Sequence, residues 1–261
     1  MIIFAGPSLA NVALPGTGII EIRPPVRQGD VYLATLEGPS AIGIIDGYFD
    51  GVPSVWHKEI LWAMSQGIAV LGASSMGALR AAELDAFGMI GIGSIYGDYR
   101  DGVLEDDDEV ALTHGPEEFG FAPLSVAMVN LRATLAAAVL AQVITQHQAD
   151  AVIDHAKAIF FKDRTWDKVL RDPEVAEPGP DHCQNLLDWI AENEVDQKRD
   201  DACLLLDRMV TGQFQRPVPD FLFEQTDLWV HSTQKWQERR KEPDAPEVGG
   251  YRLLGDTNFF S

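Results

Sequence analysis

The sequence predicts an α/β fold: a mostly parallel sheet with flanking helices in the N-terminal half, followed by a helical C-terminal part. Three observations carry this. Short apolar runs at 41–46 and 68–71 each lead through a turn into a segment with helical spacing, as in successive β–α units. Gly67 and Gly88 stand just past the ends of those two helical segments. Beyond Leu124 strand-like runs give way to helical periodicity.

Taken in order, Met1 to Pro7 reads as the first strand, and Ser8 caps a short helix that stops before Pro15-Gly16. Ile19 to Ile22 is a short second strand, halted by Pro24-Pro25. Residues 31 to 37 fit a strand or a helix, because apolar periodicity over so few residues does not decide. Ala41 to Asp46 is a buried strand, followed by the loop GYFDGVPS and the helix VWHKEILWAMSQG. Ile68 to Leu71 is the next strand, and after Gly72-Ala73-Ser74-Ser75 an Ala-, Leu- and Arg-rich helix runs to Gly88. Met89 to Tyr96 reads as a glycine-alternating strand with one bare face, against which something packs or binds closely. Gly97 to Gly120 reads as loop. Its run Glu105 to Glu109 lacks the ligand spacing of a calcium loop, so a solvated acidic stretch is expected and no metal. Helices follow from Leu124, from Asp150 to Leu170 with a break near Lys162-Asp163-Arg164, from Cys183 to Glu194 and from Ala202 to Val210. Arg171 to Pro180, with three prolines, is a linker. Phe221, Phe223, Trp229, Trp236 and Tyr251 lie in an irregular tail and are expected to pack back on the body. The expected parts are thus 1–123, 124–215 and 216–261.

With 46% hydrophobic residues in 261, the chain is long enough for a substantial core. A net charge of −20 repels phosphate backbones, so nucleic acid is not an expected partner. No apolar stretch reaches the roughly twenty residues of a membrane span, and the N-terminus lacks a basic region and a cleavage site, so a cytoplasmic protein is expected. Cys183 and Cys203 do not form a CxxC pair and read as structural thiols. Gly72 to Leu79 has no P-loop lysine and Gly88 to Gly93 precedes a strand rather than a helix, so no cofactor is implied.

The chemistry points to Ser75. In Ala73-x-Ser75-x-Gly77, small residues around a serine permit the sharp turn of a nucleophile elbow, with Ala in place of the first Gly. The N–H groups of Met76 and Gly77 would open the helix unpaired and hold an oxyanion or a carboxylate. The plainer reading makes Ser74 or Ser75 a helix N-cap. Parallel strands put the turn at the start of the preceding helix on the same sheet edge, which brings His57, Lys58 and Glu59 towards Ser75. The dipole at a helix N-terminus repels a cation, favouring the neutral amine of a general base, so a Ser75–Lys58 pair is physically plausible. His57, His114 and Asp46 leave a Ser-His-Asp arrangement open. Arg80 either pairs with Glu83 along its helix or reaches a substrate carboxylate.

At these residues the sequence resembles the TfuA-like family. The resemblance rests on Phe4 to Leu9, Arg23 to Pro25 with Gly29-Asp30, Ile45 to Phe49, Trp56 to Leu61, Gly72 to Leu84 and His114 to Pro116, roughly the first half of the chain. It implies a companion of YcaO enzymes in peptide backbone thioamidation. There, sulfur arrives on the C-terminal thiocarboxylate of a ThiS-like carrier protein, and the TfuA-like protein hydrolyses it to sulfide and helps YcaO engage its peptide substrate. The Ser–Lys pair attributed to the family maps onto Ser75 and Lys58, with Ser74 an adjacent hydroxyl. Met76, Gly77, Ser74, His57, Asp46 and Arg80 are the expected oxyanion or substrate contacts, and Gly91 to Gly97 would line a narrow channel for the carrier's Gly-Gly tail. The rival is a non-catalytic adaptor that recruits carrier or peptide to YcaO. Lys58 within hydrogen-bond reach of a serine hydroxyl would favour the enzyme; Lys58 across the fold would leave the adaptor.

Overall fold

The computed structural model describes residues 1–13, 18–171, 180–215 and 218–241. The interior of the expected linker and Tyr251 lie outside them. The first three strands in chain order are β1 (Ile2–Phe4), β2 (Glu21–Arg23) and β3 (Ala41–Ile44), followed by β4 (Ala69–Ala73) and β5 (Ile90–Ile92). They form one all-parallel sheet in the order β2-β1-β3-β4-β5. The α/β architecture read from the sequence is therefore the one observed. Phe4 aligns with Ile44, and Ile44 with Gly72, so β1, β3 and β4 finish along one edge. The winding direction reverses between β1 and β3, and in open α/β sheets the crevice beyond the carboxyl ends at such a reversal is where ligands bind.

Side chains alternate across each strand, and both faces are covered. Ile2, Phe4, Ile42, Ile44 and Val70 pack with α1 (Asp30–Thr35), α2 (His57–Ser65) and α3 (Met76–Leu84). Ile3, Ala41, Leu71, Ala73 and Ile92 pack with Ala202, Leu205, Leu206 and Met209 of a later helix, α9 (Gln197–Val210). A Cβ on Gly43 would lie 2.7 Å from Met209 Sδ, so only a glycine lets that helix approach so closely.

The ambiguous segment at 31–37 is helical, as α1. The expected strand at 89–96 is a correction: β5 ends at Ile92, and α4 (Ser94–Arg100) follows at once. Gly93, at φ 92°, turns the chain. The Asp201 carboxylate then caps the new helix, accepting the N–H groups of Ser94 at 3.1 Å and Ile95 at 2.8 Å. The bare glycine faces are packed closely, as expected, but by the protein itself. A Cβ on Gly91 would fall 2.2 Å from the Tyr96 ring, and one on Gly93 2.2 Å from Asp201 Cγ. The space assigned to a channel at 91–97 is thus filled at these two positions.

The acidic run is not solvated throughout. Glu109 is buried and accepts both Arg132 Nε and Nη2 at 3.0 Å, with Lys157 Nζ at 2.9 Å. Asp108 accepts Arg164 Nη2 at 2.8 and 2.9 Å, and Arg164 is fully buried. These cations come from the helical part. There α5 (Met128–Leu140), α6 (Gln146–Ala158), α7 (Trp166–Leu170) and α8 (Pro180–Asn193) share a core that includes Leu131, Leu135, Val152, Val169 and Ile190. The expected break between two helices at 162–164 is the 3₁₀ turn Phe161–Asp163.

The chain divides into two compact units, Met1–Glu224 and Gln225–Ser261. Within the first, Phe221 packs on the sheet core and Phe223 stands edge-on to Trp62 at 5.2 Å, as expected of tail aromatics that pack back. The second corrects the expectation of an irregular tail: it contains the helix α10 (Asp227–Lys241), where the Trp229 and Trp236 rings meet edge-on at 5.9 Å. No helix among the described residues is long and apolar enough to cross a membrane.

Candidate active site

Three strand ends meet at the site. Beyond β4, Ser74 has φ 68°, and the Ser75 N–H donates back to the Ala73 carbonyl at 2.8 Å. This is a γ-turn of the rare positive-φ kind, strained for a residue bearing a Cβ. Ser74 is fully buried and donates its Oγ hydrogen to Ser8 Oγ at 2.9 Å, beyond β1. Ser8 Oγ donates in turn to Asp46 Oδ1 at 2.6 Å, beyond β3. Asp46 Oδ2 also accepts the N–H groups of Gly6 at 2.8 Å and Ser8 at 3.0 Å.

Ser75 itself opens α3, and its Oγ accepts a hydrogen bond from Lys198 Nζ at 3.1 Å. Lys198 is only 2% exposed, and Nζ also donates to the Val110 carbonyl at 2.7 Å. It sits in the first turn of α9, whose start is fixed by the Asp196 carboxylate on the Arg199 N–H and by Asn130 Oδ1 on the Lys198 N–H, both at 3.0 Å. Burial pushes the Lys198 amine below the usual lysine range, against the opposing pull of Asp46 and Asp196. The dipole of α9 acts in the same direction as burial. A lysine held so is disposed towards the neutral form. Its contact with Ser75 then reverses, the hydroxyl donating to the amine.

Ser75, Lys198 and Asp46 line a cavity of about 260 Å³. Tyr48, His114, Phe161 and Lys162 line it as well. The His114 ring lies 5.9 Å from Tyr48 and 5.5 Å from Phe121. Lys162 pairs with Asp50, another lining residue.

Ser75 stands at the turn after β4 where its motif put it, but Lys58 is not the amine on it, so the distance test set for Lys58 does not favour the enzyme. Lys58 Nζ lies over the Phe223 ring, 5.4 Å from its centroid, and the amine on Ser75 is Lys198. The first turn of α2 faces the flank of α3 rather than its N-terminus. There His57 Nε2 meets Glu83 Oε2 at 2.7 Å, and Arg80 Nη1 meets the same oxygen at 2.7 Å. Arg80 is thus engaged along its helix, and Glu59 points into α1. Gly77 is not an open oxyanion donor, since its N–H donates to the Ile45 carbonyl at 3.2 Å. The Met76 N–H meets no protein acceptor among the described residues. Asp46 reaches the cavity, but both its oxygens are committed to Gly6 and Ser8. Ser74 points to Ser8.

Lys198 escaped the sequence reading, and Ser8 entered it only as a helix cap, whereas it lies within the 3₁₀ turn Pro7–Leu9 that Gly6 precedes. The α9 helix was expected to begin at Ala202, which left Lys198 outside it. The available signal is positional: Lys198 falls on the stripe of Ala202, Leu205, Leu206 and Met209, where an apolar residue is expected.

A parallel sheet with a buried serine–lysine pair beyond its carboxyl edge defines the class: an α/β protein with a candidate site at that edge. Residues 46–165 match the model of the family described as TfuA-like protein, which supports the resemblance read from the motifs within that stretch. No curated protein matches the chain.

Proposed function

We propose that this protein is a serine–lysine hydrolase that serves peptide backbone thioamidation. In this reading it cleaves the C-terminal thiocarboxylate of a ThiS-like carrier and delivers sulfide to a YcaO partner. The TfuA-like family is associated with thioamidation and with YcaO enzymes, which supports the setting. The observation that carries the chemistry is the 3.1 Å contact between Ser75 Oγ and the buried Lys198 amine.

In this mechanism neutral Lys198 takes the Ser75 proton as Oγ attacks the thioacid carbon. The C–O bond forms, and negative charge collects on the carbonyl oxygen, towards which the Met76 N–H and the α3 dipole are disposed. The C–S bond then breaks, and the Lys198 ammonium returns its proton to the departing sulfide. Water, deprotonated by the same amine, attacks the acyl-serine and releases the carrier carboxylate and free Ser75. No electrons are exchanged with an external partner.

The test is sulfide release from a purified thiocarboxylated carrier. Wild type is expected to turn over, and Ser75→Ala to lose at least about a thousandfold while keeping its fold. A Ser75→Ala protein that releases sulfide at the wild-type rate would reject the nucleophile. Wild type that binds the carrier without cleaving it would leave an adaptor.

A further inference from the structure

The mechanism uses Ser75 and Lys198 and leaves a second buried constellation unexplained. Ser8, Asp46 and Ser74 are each no more than 2% exposed, and they come from the ends of three different strands. The hydroxyl of Ser74 is tied to Ser8 and that of Ser8 to Asp46 in a single line of 2.9 and 2.6 Å hydrogen bonds. The residue at the end of that line is the one with positive φ, 68°, immediately before Ser75. A strained γ-turn persists only where its surroundings over-determine it.

We infer that Asp46 and Ser8 are positioning residues: through Ser8, Asp46 clamps the strained turn at Ser74 and so aims Ser75 Oγ at Lys198. The inference rests on the serine–lysine reading of the site. Without the clamp the turn relaxes to an ordinary φ, and Ser75 Oγ swings out of line with the amine. Small displacements of a nucleophile cost rate steeply. Asp46 also contributes charge. The ionisable groups disposed about the amine are Asp46 beyond β3 and Asp196 on its own helix, with Tyr48, His114 and Lys162 on the shared cavity wall. Asp46 favours the ammonium and opposes burial, so removing its charge makes the neutral amine easier to reach.

The two roles separate experimentally. Ser75 reactivity is read as the rate of labelling by a fluorophosphonate, which needs no carrier, and the Lys198 ionisation as its ¹⁵Nζ or ¹³Cε titration by NMR. Asp46→Asn is expected to move the Lys198 midpoint down by roughly one pH unit and to carry the alkaline rise in labelling rate with it. Ser8→Ala keeps the carboxylate, so the midpoint stays put while labelling slows by at least about tenfold. An unmoved midpoint in Asp46→Asn, or wild-type labelling in Ser8→Ala, overturns the inference; if Asp46→Asn does not fold, Ser8→Ala decides alone. Sulfide release failing in wild type would reject the proposed reaction while these measurements still decide the clamp.

Discussion

Lys198 shows why residue type alone does not single out the amine beside Ser75. Lys58 and Lys198 both occupy the first turn of a helix, where the dipole disfavours their charge. Only Lys198 is also buried, and only it meets Ser75. The depressed ionisation has a consequence for stability. A lysine whose folded value lies below its unfolded one binds fewer protons when folded, so its cost is full at low pH and is relieved as pH rises towards the ordinary value near 10.5. Lys198→Met should therefore be more stable relative to wild type at pH 6 than at pH 9, as read by urea unfolding. Lys198→Arg tests the base directly. Arginine does not deprotonate in this range, so the variant should be as inactive in sulfide release as Lys198→Met despite keeping a cation there.

At the level of elements, Glu59 and Gly93 are the joints. Glu59 is fully buried, and its carboxylate ties two helix starts together. It accepts the N–H groups of Gly29 at 2.9 Å and Tyr32 at 3.3 Å, and that of Trp56 at 3.1 Å. Burial pushes it up to about 7, against the pull of those three donors. A carboxylate raised in this way contributes stability that is full below about 4.5 and lost as pH rises through about 7. Compared with Glu59→Gln, wild type should lose about 3 kcal/mol of unfolding free energy between pH 4.5 and 8. Gly93→Ala should cost at least about 2 kcal/mol in thermal or urea unfolding, because its Cβ would collide with the Asp201 carboxylate at a positive φ. These joints also mark the limit of the sequence reading. The β3–α2–β4–α3 order was legible because apolar runs, small-residue turns and closing glycines are local signals. The α4 helix was not, because what ends β5 early is the Asp201 cap, 106 residues from Ile95. Ser75 was legible from its turn, whereas its amine stands 123 positions away and no local pattern couples the two.

On the scale of the whole molecule, the site is assembled from parts that the family match does not span. Ser75, Asp46 and Val110 lie within residues 46–165, while Ser8 precedes that stretch and Lys198 follows it. The helical part is thus more than an appendage, since α9 both covers one face of the sheet and supplies the amine. Its attachment runs through the ion pairs of the buried Glu109 and the half-buried Asp108. Arg164→Met removes a fully buried guanidinium from a partly exposed Asp108 that keeps Lys157, and should cost about 1 to 3 kcal/mol in urea unfolding. The central proposal, that Lys198 and not Lys58 activates Ser75, is tested most directly by comparing kcat/KM for sulfide release in Lys198→Met and Lys58→Met. The expected result is a loss of at least about a hundredfold for Lys198→Met and a change within about threefold for Lys58→Met; the reverse pattern would contradict it.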